Sequence, residues 1–281
     1  MNALLPLIAS AIWGCTDFVG GTLSRRIHPL AVSALGQILL LPLLAAVVLG
    51  FGAEHNRSGW LLWGFVAGLV QPIALALFFE ALATGKMGVI APIGSTAVVV
   101  PVAIGLAQGE RPAALQLLGI ALCVVGVVMA SGPELRSVRE HDAPGGRRAL
   151  ILALSAACGF GIVLYCIARG SHFSAGMTVL TTRVTMLIPL AIVWLVTRSV
   201  GGVRKSDLPV LLLMSGADIF GTGLYSVASG RSLVAVVAVL ASLYPVITAL
   251  LARFVHHERL KPVQVAGVLV ALAGVAFITL G

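Results

Sequence analysis

This chain is short of charge. Only 10% of its 281 residues are Asp, Glu, Lys or Arg, whereas an ordinary soluble domain carries roughly 25%. A water-soluble surface cannot be built from so few. With 59% hydrophobic residues, the solvent for most of the chain is lipid. Cysteine is scarcer still, with four residues. Cys15, Cys123, Cys158 and Cys166 lie inside apolar runs with no close spacing, which excludes a disulfide framework or a zinc pattern and leaves small packing residues. Neither HExxH nor GxSxG occurs, so no enzyme activity is expected. Asp17 and Asp218 could meet as in an intramembrane aspartic protease, but neither sits in a motif for that chemistry. The net charge of +8 does not imply a nucleic-acid partner. The basic residues scatter through interhelical segments, and no basic face carries interleaved aromatics. His256-His257-Glu258 has the look of a metal site, but its repeat counterpart Gln108-Gly109-Glu110 holds no ligand pair. It reads as a turn between helices, and no metal or cofactor is expected.

What remains is apolar sequence in ten runs. Their approximate limits are Ala3–Gly20, Pro29–Phe51, Gly59–Ala83, Gly88–Ala107 and Ala113–Ala130, then Ala149–Ala168, Ala175–Val200, Leu208–Val227, Leu233–Phe254 and Val263–Leu280. A span needs about 20 apolar residues. Backbone polar groups in hydrocarbon must be satisfied within a helix or a closed barrel, and these runs do not alternate as barrel strands do. The expected fold is therefore all-α: a polytopic membrane protein with ten transmembrane helices. The first run lacks a basic segment before it and continues past Trp13, so it reads as a span and not as a signal peptide. Pro92, Pro101 and Pro245 should kink spans four and nine.

The two halves repeat. Glu110, Gln116, Gly119 and Gly126 recur as Glu258, Gln264, Gly267 and Gly274, each 148 residues later. Ser10 and Gly14 match Ser155 and Gly159 at 145, and Pro42-Leu43 matches Pro189-Leu190 at 147. Residues 1–133 and 149–281 form the two five-helix units, joined by a polar segment at 134–148. Five is odd, so the second unit enters the membrane from the opposite side. Inverted repeats with a site at their interface are a recurring plan in secondary transporters. The paired glycines lie seven apart on one helix side and suit close helix approach.

Trp13-Gly14 in span one, Gly109-Glu110-Arg111 with its partner His257-Glu258-Arg259, Arg183 in span seven, and the Gly-bearing spans five and ten give the chain a likeness. It resembles the ten-helix members of the drug/metabolite transporter superfamily, with two EamA-type repeats, over essentially its whole length. The resemblance implies a carrier of the bacterial inner membrane, often an exporter of metabolites, amino acids or drugs, and names no substrate. The second half departs from the pattern where Cys158-Gly159 replaces Trp-Gly. In span two, Gln37 sits near the place that corresponds to Arg183.

Intramembrane charges are expensive, roughly 2.5–3.5 kcal/mol each on insertion scales. Asp17, Glu80, Arg183 and Asp218 all bear that cost. Counted along their helices, Arg183 and Asp218 fall at similar depth, which allows a salt bridge or a shared cavity; a structural lock between two helices is the alternative. Ser10, Trp13, Gly14 and Asp17 share one face of span one, as a cavity lining would. Asp17 could equally reach the headgroups. Ser215, Asp218, Thr222 and Tyr225 form a polar stripe on span eight, for a solute or for neighbouring helices. The candidate substrate pathway is Trp13, Asp17, Gln71, Arg183, Asp218, Thr222 and Tyr225. The candidates for proton coupling are Asp218, Asp17 and Glu80, the last with Lys86 close enough to pair with it instead.

The expected function is secondary transport of a small organic solute, as an exporter working by alternating access with proton coupling; a small-solute channel or an importer is the alternative. Burial disfavours a charged carboxylate and a neighbouring Arg favours it. In this scheme Asp218 could therefore exchange Arg183 for a proton. The partners are the substrate and the bilayer; the sequence leaves the oligomeric state open, and a monomer is compatible with it. Connections 1–2, 3–4, 5–6, 7–8 and 9–10 hold thirteen basic residues (Arg25, Arg26, Lys86, Arg136, Arg139, Arg147, Arg148, Arg198, Arg204, Lys205, Arg253, Arg259, Lys261), and the other side four (Arg57, Arg111, Arg169, Arg231). Positive-inside logic therefore places both termini outside, whereas the family resemblance implies both in the cytoplasm.

Overall fold

The computed structural model describes residues 3–50, 58–84, 90, 93–94, 96–140, 146–197, 202–256 and 262–280. Among these residues every regular element is helical. The first half holds α1 (Leu4–Leu23), α2 (Pro29–Gly50), α3 (Gly59–Thr84), a 3₁₀ turn (Thr96–Val98) leading into α4 (Val99–Ala107), and α5 (Ala114–Glu140). The second half holds α6 (Gly146–Ser171), α7 (Ala175–Thr185), α8 (Leu187–Thr197), α9 (Leu208–Ser229), α10 (Val234–Ala241), α11 (Tyr244–His256) and α12 (Pro262–Leu280). Six helical segments are long and apolar enough to cross a membrane, and four shorter apolar ones fill the remaining span positions. The protein is thus a ten-span helical bundle. Large apolar side chains such as Leu213, Phe220, Phe254 and Leu269 stand exposed on its outside. That would be a liability in water and is the normal surface in lipid.

The helix limits follow the apolar runs except at three places. The α5 helix continues beyond its apolar stretch to Glu140, into the polar segment between the halves. Span seven is two helices, divided at Met186, a break the sequence reading does not contain. Span nine is divided at Ser242-Leu243. In both cases the preceding helix stops four residues before a proline: Thr185 before Pro189, and Ala241 before Pro245. A proline has no N–H for the carbonyl four residues back, so the hydrogen-bond ladder lapses there. Proline does not dictate the outcome alone, since Pro42 and Pro72 lie inside unbroken helices. Pro101 sits in the first turns of α4, where a missing donor costs least. Pro92 lies outside the described residues.

The inversion of the halves is visible in one helix pair. Helices α5 and α12 occupy equivalent positions in the repeat and pack on each other. A Cβ added at Gly119 would lie 2.7 Å from Gly274 O, and one added at Gly126 would lie 2.6 Å from Gly267 O. The partners run in opposite order, 119 to 274 and 126 to 267, so the two helices are antiparallel. Equivalent helices can cross in this way only when one repeat is upside down relative to the other. The exchange continues elsewhere: α1 packs on α9 while its counterpart α6 packs on α3, and α2 packs on α9 while α7 packs on α3. Each half therefore completes the other's core.

Polar contacts gather at the two ends of the bundle. At one end Arg26 pairs with Asp207 at 2.7 Å and Arg148 with Glu80 at 3.2 Å. At the other, Glu110 accepts hydrogen bonds from the N–H groups of Val234 and Ala235, both at 3.1 Å. It thereby caps α10, where a carboxylate meets the positive end of the helix dipole. The turn that aims Glu110 needs a backbone φ of +90° at Gly109, which side chains with a Cβ rarely adopt. The Gly-Glu-Arg motif is thus a clamp from the first half onto the second.

Candidate functional site

Two helix positions bring the costly charges together. Arg183 lies just before the break at Met186, and Asp218 sits mid-way along α9. The Arg183 Nη2 donates to Asp218 Oδ2 at 3.0 Å and to Thr222 Oγ1 at 2.9 Å. From α2, Gln37 Nε2 donates to the same Asp218 Oδ2 at 2.6 Å. Thr222 Oγ1 in turn donates to the Asp218 carbonyl one turn back, at 2.7 Å. Charge-assisted hydrogen bonds of this kind are the strong ones. Arg183 is 1% exposed and Asp218 17%, so the guanidinium is sealed and the carboxylate still shows a face. Removing a guanidinium from water is tolerable only with such a partner.

That face belongs to a cavity of about 630 Å³ of empty space, open solvent included, at mid-depth between the halves. Helix α1 contributes Trp13 and Asp17, and α3 contributes Gln71 and Leu75. Phe160, Val163, Leu164 and Ile167 come from α6, and Asp218 and Thr222 from α9. Ser242 and Tyr244, on either side of the break in span nine, complete the wall with Ala97. Asp17 is 9% exposed and faces this cavity, not the headgroups. Among the described residues it has no hydrogen-bond donor or cation as partner, and it lies within electrostatic range of Asp218.

The other sequence candidates take different places. Arg183 touches the site through Asp218 and Thr222 without lining the cavity. Tyr225 is fully buried behind the wall. Its hydroxyl donates to the Leu164 carbonyl at 3.1 Å, and its ring lies 5.7 Å from that of Trp13. Gly221 leaves room for that indole, since a Cβ there would come within 3.1 Å of Trp13 Nε1. Glu80 is at the end of the bundle, paired with Arg148 and 34% exposed, away from the cavity. Lys86, His257 and Glu258 lie outside the described residues. Phe160, Ser242 and Tyr244 line the site without having been singled out in the sequence, because nothing local marks an aromatic or a serine in an apolar run as cavity-facing.

Comparison with known proteins supplies the family. The model of the EamA-like transporter family matches residues 1–132 and again 147–280. The chain belongs to the EamA-like transporter family. It is a multi-pass membrane protein that moves small solutes. One solved crystal structure superposes with a TM-score of 0.73, covering 99% of this chain and 96% of that one at 20% identity, a likeness of fold. No curated protein matches the sequence.

The transporter's repeat explains how its site is assembled. Gln71 and Asp218 are 147 residues apart, as are Leu75 and Thr222, and all four line the cavity. Gln37 and Arg183, 146 apart, are the two side chains that donate to the Asp218 carboxylate. The site is thus built around the pseudo-twofold axis, with equivalent positions from the two halves converging on it.

Proposed function

We propose that the transporter is a secondary carrier that exports a small organic solute, a metabolite, amino acid or drug, by alternating access across a bacterial inner membrane, working as a monomer. The observation that carries this reading is the mid-depth cavity between two inverted halves, with two carboxylates facing it. Rocking of one half on the other about the α5–α12 seam would open that cavity to each side in turn. The breaks at Met186 and Ser242-Leu243 lie near the site, one in the span that braces Asp218 through Arg183 and one in a span that lines the cavity. Proton coupling belongs to the same proposal. When a proton neutralises Asp218, Arg183 loses its partner, and this tie between α7 and α9 loosens at one stage of the cycle.

Counterflow in proteoliposomes tests the carrier reading. Uptake of labelled solute should saturate and should accelerate when unlabelled solute is trapped inside. Conductance without saturation would make the protein a channel. Asp218→Asn should abolish transport driven by a pH gradient and leave the protein monodisperse in detergent. Gradient-driven transport at the wild-type rate by that variant would return Asp218 to a structural role.

A further inference from the structure

We infer that the cavity selects a small organic monocation with an aromatic or apolar body, and that Asp17 is its counter-charge. The inference rests on the carrier reading and narrows its cargo. It starts from a charge inventory of the cavity wall. Among the described residues two carboxylates face the space, Asp17 and Asp218, and no Lys, Arg or His lines it. Asp218 is already answered by Arg183 and Gln37. Asp17 is more than nine-tenths buried and has no cation or donor among the described residues. An unpaired carboxylate at this depth costs several kcal/mol, and a cationic ligand is the partner the wall does not supply.

The same inventory argues against zwitterions and anions. A carboxylate on the cargo would need a positive group, and among the described residues the candidate beside the site is Arg183. That side chain is 1% exposed and does not line the cavity; its Nη2 is committed to Asp218 and Thr222, and its Nε and Nη1, without a partner among the described residues, are shut off from solvent. The walls favour a cation as well. Trp13 stands one helical turn before Asp17, with Phe160 and Tyr244 in the same cavity, and aromatic faces attract cations as well as apolar bodies. Gln71 also faces the space, and its Oε1 has no hydrogen-bond partner among the described residues, so it is free to accept from an N–H on the cargo.

Four probes sharing one ring system test the inference: tryptamine as cation, tryptophan as zwitterion, indole-3-acetate as anion and indole as the neutral body. Binding is measured by calorimetry on purified protein in detergent. Tryptamine should bind at least about tenfold more tightly than each of the others, a difference of about 1.4 kcal/mol. Asp17→Asn should lose that preference, and Asp17→Glu should keep most of it; gel filtration shows whether either variant is still folded. No tryptamine binding, equal binding of another probe, or unchanged selectivity in a monodisperse Asp17→Asn overturns the inference. Counterflow separates it from the carrier reading. Selective tryptamine binding without counterflow would sink the carrier and leave the cation site standing. Counterflow of indole-3-acetate without tryptamine binding would do the reverse.

Discussion

The two halves of the transporter hold the same scaffold and opposite chemistry. In the first half, the two symmetry-related site positions are Gln37 and Gln71, a pair of neutral amides. In the second they are Arg183 and Asp218, an ion pair 3.0 Å apart. One member of each pair, Gln71 and Asp218, lines the cavity, and the other, Gln37 and Arg183, holds the Asp218 carboxylate from behind. Duplication therefore fixes where a side chain arrives, and later substitution decides what it does there. The second half concentrates the buried charge and has the additional helix break at Met186, while the first half contributes Asp17, whose position has Ile162 as its counterpart at the 145-residue offset.

The sharpest way to break this comparison is to remove one charge from the second half. Arg183→Leu leaves Asp218 with Gln37 alone, and losing one partner of a buried ion pair costs about 3–5 kcal/mol. A drop of many degrees in the melting temperature in detergent should report it. Converting both positions to glutamine, so that the second half copies the first, should be less harmful than Arg183→Leu, because no uncompensated charge remains. A double variant melting below the single one would show that the ion pair has no neutral substitute here.

Gln37→Leu probes the first half's contribution to the same carboxylate. Hydrogen bonds to charged groups contribute about 1.5–3 kcal/mol, so its melting temperature should fall by less than that of Arg183→Leu. A fall as large would make Gln37 an equal anchor of Asp218. Glu110→Ala removes the cap that the first half places on α10, a loss of about 0.5–2 kcal/mol. Faster hydrogen exchange at the Val234 and Ala235 amides should accompany it, and unchanged exchange would mean that the clamp is idle. The smallest effect belongs to Arg148→Ala. Its pair with Glu80 is largely open to solvent, and such pairs contribute about 1 kcal/mol or less. A larger shift would overturn the contrast between buried and exposed pairs.

Much of this architecture was legible from the sequence because the bilayer imposes its rules residue by residue. Length and apolarity mark the spans, backbone satisfaction demands helices, and the 148-residue offset of Glu110, Gln116, Gly119 and Gly126 marks the repeat. An odd number of spans per repeat then implies inversion, and the crossing of Gly119 with Gly274 and Gly126 with Gly267 displays it. The charges Asp17, Arg183 and Asp218 stood out for the same reason: hydrocarbon makes each one costly. Only the tertiary structure decided which of them meet. It gave Asp218 two donors and Asp17 none among the described residues, put Tyr225 behind the wall and Glu80 in a pair with Arg148 at the end of the bundle, and drew Phe160, Ser242 and Tyr244 into the cavity. It also decided that Pro189 coincides with a helix break while its counterpart Pro42 does not. The physical reason is that cost in lipid belongs to a residue and its own helix, whereas partnership depends on how helices far apart in sequence are rotated and packed against one another.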